Sequence, residues 1–311
     1  MAILVAADFG QRAWQRWWPL LEAALPQERL VRDRNEAAAA DIDIALVANP
    51  EPGALAGLPA LRLIQSLWAG VERLLADPTV PPQVPIARMV DPAMNQAMSE
   101  TALWAVLGLQ RGFFQCAAQQ RAAQWKPPTF RRADDITVAV LGLGEMGRTT
   151  AERLAQHGHR VVGWSRTGAS VPGVRTQAGP AALAGVLACG DIVVNLLPLT
   201  PDTRGLFDAR TFARMRAGAS LVNLARGGHV VEADLLAALA SGHLQHAVLD
   251  VFAVEPLPSG HPFWQHPQIT VLPHIAAPTD PRSAVAVAAA NVRAWRAGQP
   301  LAGRVDRARG Y

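Results

Sequence analysis

Lysine and tyrosine are almost missing from this 311-residue chain, which holds only Lys126 and Tyr311. Arginine supplies nearly all the positive charge and stays protonated far above neutrality. A formal net charge of +4 is therefore enough to bring the isoelectric point near 10. That value reports few titrating groups and not a basic surface. No stripe of cations with interleaved aromatics is present, which argues against nucleic acid as a partner. Cysteine is scarce as well. Cys116 and Cys189 sit in apolar or helical surroundings without metal-type spacing, and they suit a reducing compartment. Charged residues make up 17% with no long block, so extended disorder is not expected. No apolar run is long enough to cross a bilayer. The opening MAILVAADFG reads as a buried strand entering a turn; it lacks the basic start and small-residue cleavage site of a signal peptide. A soluble, cytoplasmic protein is the expectation.

Half of the residues are hydrophobic, enough for two compact domains. Short apolar runs alternate with helical patches over the first hundred positions. Residues 3–7, 43–48 and 61–67 read as strands, with helices near Trp14–Leu25 and Val71–Leu75 between them. A proline-rich loop follows. One long helix is expected from about Ser99, as N-cap, to Trp125, stopped by Pro127 and Pro128. Further strands are expected at 136–144, 160–164, 191–198, 220–225, 246–252 and 269–274, separated by helices, and a last helix from Asp280 to about Gly298. This order predicts an α/β fold of two Rossmann-like or flavodoxin-like domains with doubly wound parallel sheets. The short tail cannot fold alone, so residues 1–98 and 280–311 are assigned to one domain and 99–279 to the nucleotide-binding one.

The segment Gly142-Leu143-Gly144-Glu145-Met146-Gly147 follows a strand and opens a helix. Gly142 permits a tight turn, Gly144 lets the backbone approach a diphosphate, and Gly147 allows close helix–strand packing. The helix start adds free N–H groups and a positive dipole end. After the second strand, an NAD enzyme usually carries an acid for the ribose hydroxyls. Here the chain reads Ser165-Arg166-Thr167, with two hydroxyls and a cation that can pair with a 2′-phosphate. NADP(H) is therefore preferred, with NAD(H) as the lesser option; the bland reading of Arg166 is a solvated loop residue.

Three residues then follow three successive strands: Arg226, Glu255 and His274. Such strand ends are where ligands sit in sheets of this kind. An imidazole can deliver a proton to a developing alkoxide, a carboxylate can hold its other nitrogen, and a guanidinium fork can pin a substrate carboxylate. Each alone has an ordinary structural reading; together they suggest hydride chemistry on a carbonyl beside a carboxylate. The other histidines read as structural or exposed. His243, His246, His261 and His266 lack a carboxylate or thiolate cluster, so no metal is expected.

These motifs resemble the D-isomer-specific 2-hydroxyacid dehydrogenases, and the likeness runs along essentially the whole chain. The most specific pieces are GLGEMG, GWSRT, NLLPLTPDTRGLF, LVNLARGGHVVEADLLAAL, LDVFAVEPLP, LPHIAAPT and VDRARGY. The resemblance implies reduction of small 2-oxo acids, glyoxylate and hydroxypyruvate first. It makes His274 the acid/base, Glu255 its partner and Arg226 the substrate anchor. Leu197, Pro198 and Thr203 would line the adenosine and diphosphate side. Asp250 would lie near the nicotinamide carboxamide, with Leu224, Ala225 and Ala276 also on the cofactor side. Ala69 and Gly70 would bind the substrate carboxylate through backbone N–H groups, from a domain that closes across a cleft. A homodimer built on the nucleotide domain is implied too. Two departures stand out. Ala276 and Ala277 occupy positions where the family usually has glycines, and Trp68 stands where it usually has a small residue. Trp68 would either narrow or stack over the pocket, or plug the space between domains. The other functions weighed are a nucleotide-sensing corepressor-like protein and a dehydrogenase of another 2-hydroxy acid. Formate oxidation is disfavoured by Glu255, where the formate variant carries Gln.

Overall fold

The computed structural model describes residues 1–311 and divides into two compact units, 1–94 with 279–311, and 95–278. The first unit holds a five-stranded parallel sheet of β1 (Ala2–Ala7), β2 (Arg29–Val31), β3 (Ile42–Ala48), β4 (Leu63–Ser66) and β5 (Ile86–Ala87) in the order β2-β1-β3-β4-β5. The central strand β3, IDIALVA, is buried at every position. A parallel strand covered on both faces needs this continuous apolar run and not an alternating one. Helices α1 (Gln11–Ala24) and α2 (Glu72–Ala76) belong to this unit.

The tail returns to this unit as α9 (Pro281–Arg296). The Asp280 side chain caps its start by accepting from Arg282 N, with Pro281 in the first turn. Ala284, Val285, Ala288, Ala289 and Val292 form its buried face, and α9 packs against α1. Near its end Arg296 bonds Glu28 at 2.8 Å and also the nearly buried carboxylate of Asp43. These two acids hold the guanidinium pKa well above its ordinary value.

The second unit carries a seven-stranded parallel sheet. Its strands are β6 (Thr137–Leu141), β7 (Arg160–Ser165), β8 (Arg175–Ala178), β9 (Ile192–Asn195), β10 (Ala219–Asn223), β11 (Leu244–Leu249) and β12 (Ile269–Val271). They lie in the order β12-β11-β10-β9-β6-β7-β8. The winding reverses between β6 and β9, and the crevice at such a switch point is where this architecture binds ligands. Helices α3 to α8 are Pro92–Gln110, Phe113–Arg121, Glu145–Gln156, Pro180–Cys189, Ala209–Arg214 and Glu232–Ala240. No helix is long and apolar enough to cross a membrane.

The long helix expected from Ser99 to Trp125 is corrected at both ends. It starts at Pro92, where the Asp91 side chain accepts from Ala93 N at 2.9 Å, and Ser99 lies inside it. An aspartate–proline pair is a stronger start signal than a serine seven residues on. Gly112, at φ +68°, then divides α3 from α4. The division between units accordingly falls in the first turns of α3, ahead of the expected cut after residue 98. Strands β2, β5 and β8 are additional to the expected set. The first two are very short, and β8 (RTQA) is an exposed edge without apolar alternation.

His246 of β11 is buried, stacked on Phe114 of α4 at 5.1 Å between ring centroids, with Nε2 2.9 Å from Thr270 Oγ1. Burial, with His266 nearby, pushes its pKa from the usual 6.5 down to about 4. The native ring is therefore neutral where the unfolded one would take a proton. Stability should fall as pH drops from about 6.5 towards about 4, by on the order of 3 kcal/mol from this group. Urea unfolding across that range should show the slope, and His246→Gln should flatten it.

Candidate active site

Gly142 takes φ +93°, and a Cβ there would lie 2.7 Å from the carbonyl oxygen of Leu196. A Cβ on Gly147 would lie 1.7 Å from the carbonyl oxygen of Gly142. The turn closes on itself only because both side chains are absent. Gly144 differs: a Cβ there would meet nothing within 4 Å, so its backbone borders open space at the start of α5. Leu143, by contrast, is buried and turns its side chain onto Gly163 of β7. Glu145 and Met146 form the first turn of α5.

Ser165 ends β7 with its hydroxyl oxygen buried and without a hydrogen-bond partner in the protein. A buried orphan hydroxyl is costly unless a ligand or water satisfies it. It stands beside Arg166 and Thr167 where a dinucleotide's ribose is expected, so these residues fit the cofactor. On the exit of β9, Leu197 is buried, Leu197 N donates to Asn195 Oδ1 at 3.3 Å, and Thr203 Oγ1 donates to the Pro198 carbonyl at 2.7 Å. That bond folds the loop over Thr200 and Thr203 into a compact turn.

Arg226, Glu255 and His274 follow β10, β11 and β12, three adjacent strands, and so share one edge of the sheet. His274 Nδ1 lies 2.7 Å from Glu255 Oε2, and Glu255 Oε1 accepts from Phe252 N at 2.9 Å. A carboxylate only accepts, so Nδ1 carries the proton and Nε2 is the ring nitrogen left for other work. His274 has φ +55°, a left-handed conformation that costs a non-glycine residue roughly 1–2 kcal/mol. Asp250 stabilises it. His274 N donates to the Asp250 carbonyl at 2.9 Å, while Ile275 N and Ala276 N donate to its carboxylate at 2.7 and 3.0 Å. Burial raises the pKa of this carboxyl, against the two N–H bonds, which favour the anion.

The Arg226 turn is built from buried asparagines. Asn195 Nδ2 donates to Asn223 Oδ1 at 2.9 Å, and Asn223 Nδ2 donates to the Arg226 carbonyl at 3.0 Å. Ala225 N also reaches Asn223 Oδ1 at 3.3 Å, Leu224 and Ala225 are buried, and Arg226 Nη1 bonds the Ala225 carbonyl at 2.7 Å. A Cβ on Gly227 would lie 1.9 Å from the Phe252 carbonyl carbon, so this turn presses on the chain leading to Glu255. Asn195, Asn223 and the fully buried His229 were not singled out in the sequence. The two asparagines had a signal, since each is a polar residue ending an apolar strand; His229 had none.

In the first unit, Trp68 packs edge-on against Trp17 and Phe9, with centroids 5.8 and 6.0 Å away. Its backbone is tied on both sides, as Trp68 N donates to Ser66 Oγ and Met89 N donates to Trp68 O, each at 3.0 Å. No hydrogen bond of this segment uses the N–H groups of Ala69 or Gly70.

Comparison with known proteins decides the family. The D-isomer specific 2-hydroxyacid dehydrogenase NAD binding domain matches residues 103–276. A glyoxylate/hydroxypyruvate reductase A of Serratia proteamaculans is 41% identical over 302 residues, covering 96% of each chain. The chain belongs to the D-isomer-specific 2-hydroxyacid dehydrogenases. It is thus an oxidoreductase of the NAD(P)-dependent type. Among solved structures, a family member from Xanthobacter autotrophicus Py2, in complex with NADPH and MES, is 41% identical with TM-score 0.94 over 100% of this chain and 99% of that one. An NADPH-dependent glyoxylate/hydroxypyruvate reductase of Sinorhizobium meliloti, with NADP and sulfate, is 34% identical with TM-score 0.92 over 100% and 99%.

Gly147 offers a direct test of the turn. Gly147→Ala forces a methyl into the Gly142 carbonyl, so the backbone must shift. Destabilisation of roughly 1–3 kcal/mol is expected, read by thermal unfolding against wild type, whereas Gly144→Ala, into open space, should leave the midpoint nearly unchanged.

Proposed function

We propose that this dehydrogenase reduces small 2-oxo acids, glyoxylate and hydroxypyruvate among them, with NADPH. The observation that carries the reading is the His274–Glu255 pair at 2.7 Å on the sheet edge shared with Arg226. Support for NADPH comes from the missing acid after β7, the cation at Arg166 and the orphan hydroxyl of Ser165. The NADPH and NADP complexes of the two similar structures point the same way.

When bound, the cofactor supplies a hydride to the carbonyl carbon. The residues of this chain handle everything else. Gly142 to Gly147 cradle the diphosphate, with Leu197, Pro198 and Thr203 along the adenosine side. Leu224, Ala225, Asp250 and Ala276 border the nicotinamide end. Arg226 binds the substrate carboxylate and polarises the carbonyl, the charge-assisted fork geometry that guanidinium favours. Ala69 and Gly70 offer the substrate carboxylate two backbone N–H groups. As the imidazolium, His274 gives its Nε2 proton to the carbonyl oxygen as negative charge develops there, and is left as the neutral ring whose Nδ1–H stays bonded to Glu255. Trp68, fixed by Phe9 and Trp17, restricts the substrate side chain. The protein works in the cytoplasm as a homodimer. Exposed Trp104 on α3 and Phe113 on α4, with Phe130 gathered beside Phe113 by the Arg111 guanidinium that lies over both rings, support a partner at this part of the unit.

Steady-state reduction of glyoxylate with NADPH tests the activity, and absence of turnover with any small 2-oxo acid would end the reading. His274→Ala should lower kcat on the order of 10²–10⁴-fold while leaving NADPH affinity in place. Arg166→Asp replaces a phosphate-pairing cation with a repelling charge. It should raise KM for NADPH at least roughly tenfold and barely change that for NADH; equal effects on both would remove Arg166 from cofactor choice.

A further inference from the structure

One buried histidine has no part in the chemistry above. His229 is wholly inaccessible, three residues beyond Arg226. Its Nδ1 lies 3.0 Å from the carbonyl oxygen of Arg226, and its Nε2 lies 3.2 Å from the carbonyl oxygen of Pro198. Both neighbours can only accept. A neutral imidazole donates at one nitrogen and turns a lone pair to the other oxygen; the imidazolium donates at both. The backbone around the ring joins the same two segments. Phe207 N donates to the His229 carbonyl and Gly205 N to the Gly228 carbonyl, each at 2.8 Å. The carbonyl of Arg226 also takes Asn223 Nδ2, and that of Pro198 also takes the Thr203 hydroxyl. The charged side chains on these segments are Arg226 and Glu232 on one and Asp202 and Arg204 on the other, with Glu232 also 3.2 Å from His261.

We propose that His229 is a positioning residue, an imidazolium strut that fixes the backbone carrying Arg226 against the loop at Pro198. It thereby sets the substrate-binding guanidinium relative to the bound cofactor. The inference rests on the reading that Arg226 holds the substrate and Pro198 lines the cofactor. Its basis is separate, namely one ring spanning two carbonyl oxygens.

Two substitutions separate the two ends of the strut. Asparagine places its amide nitrogen near the position of Nδ1, and glutamine near that of Nε2, so each keeps one bond and loses the other. His229→Asn should keep KM for glyoxylate and raise both KM and Kd for NADPH roughly tenfold, the scale of one lost buried bond. His229→Gln should keep NADPH affinity and lower kcat/KM for glyoxylate roughly tenfold. In ¹⁵N spectra of the wild-type protein at neutral pH, both His229 ring nitrogens should carry protons. A ring that only packs would lower Tm in both variants while moving the two constants together or not at all; that result, or a neutral His229 ring, would overturn the proposal. Should His229→Gln fail to fold, His229→Asn and the ring spectrum decide. If wild type reduces no 2-oxo acid, it is the proposed activity that fails, while NADPH Kd in the variants and the ring spectrum still judge His229.

Discussion

The carboxylate of Asp250 is the interaction on which the candidate site depends. It stands buried just past β11 and gathers the backbone of the next strand's exit, through Ile275 N and Ala276 N, while its own carbonyl takes His274 N. These bonds offset the cost of the left-handed backbone at His274. They aim the imidazole at Glu255 before any substrate is involved. A buried carboxylate is expensive unless its oxygens are satisfied, and here backbone donors satisfy them. The expense is returned as a fixed direction for one side chain.

The same device recurs one strand over in neutral form. Asn195 and Asn223, both wholly buried, hold the exits of β9 and β10 through side-chain amides. Parallel strands leave the sheet with unpaired backbone groups, and buried ones need partners. In this unit the partners are polar side chains at strand ends, so satisfying the backbone and orienting the turns are one act. Glycines complete the arrangement by exclusion. Gly142, Gly147 and Gly227 each stand where a single methyl would collide with a carbonyl group.

The histidines show how environment assigns role to one side chain. His246, stacked and desolvated, is driven towards neutrality. His274, half exposed and bonded to a carboxylate, keeps one nitrogen available. His229 spans two carbonyls in the interior. Nothing in the residues adjacent to each in the chain distinguishes them, because the deciding partners come from other elements.

The sequence by itself determined the two parallel α/β units, the glycine turn between β6 and α5, and the three strand ends bearing Arg226, Glu255 and His274. These are encoded locally: apolar runs of strand length, glycines at fixed spacing, and polar residues just beyond a run. It also carries the Asp91–Pro92 start of α3 and the break at Gly112, two local signals set within a longer apolar periodicity. Tertiary structure alone decided which strand ends lie side by side, since strand order follows from packing and not from chain order. It alone joined Asp250 to the turn after β12 and His229 to Pro198, 31 positions away. Such bonds depend on groups meeting in space after the sheet has formed, and no local pattern records them.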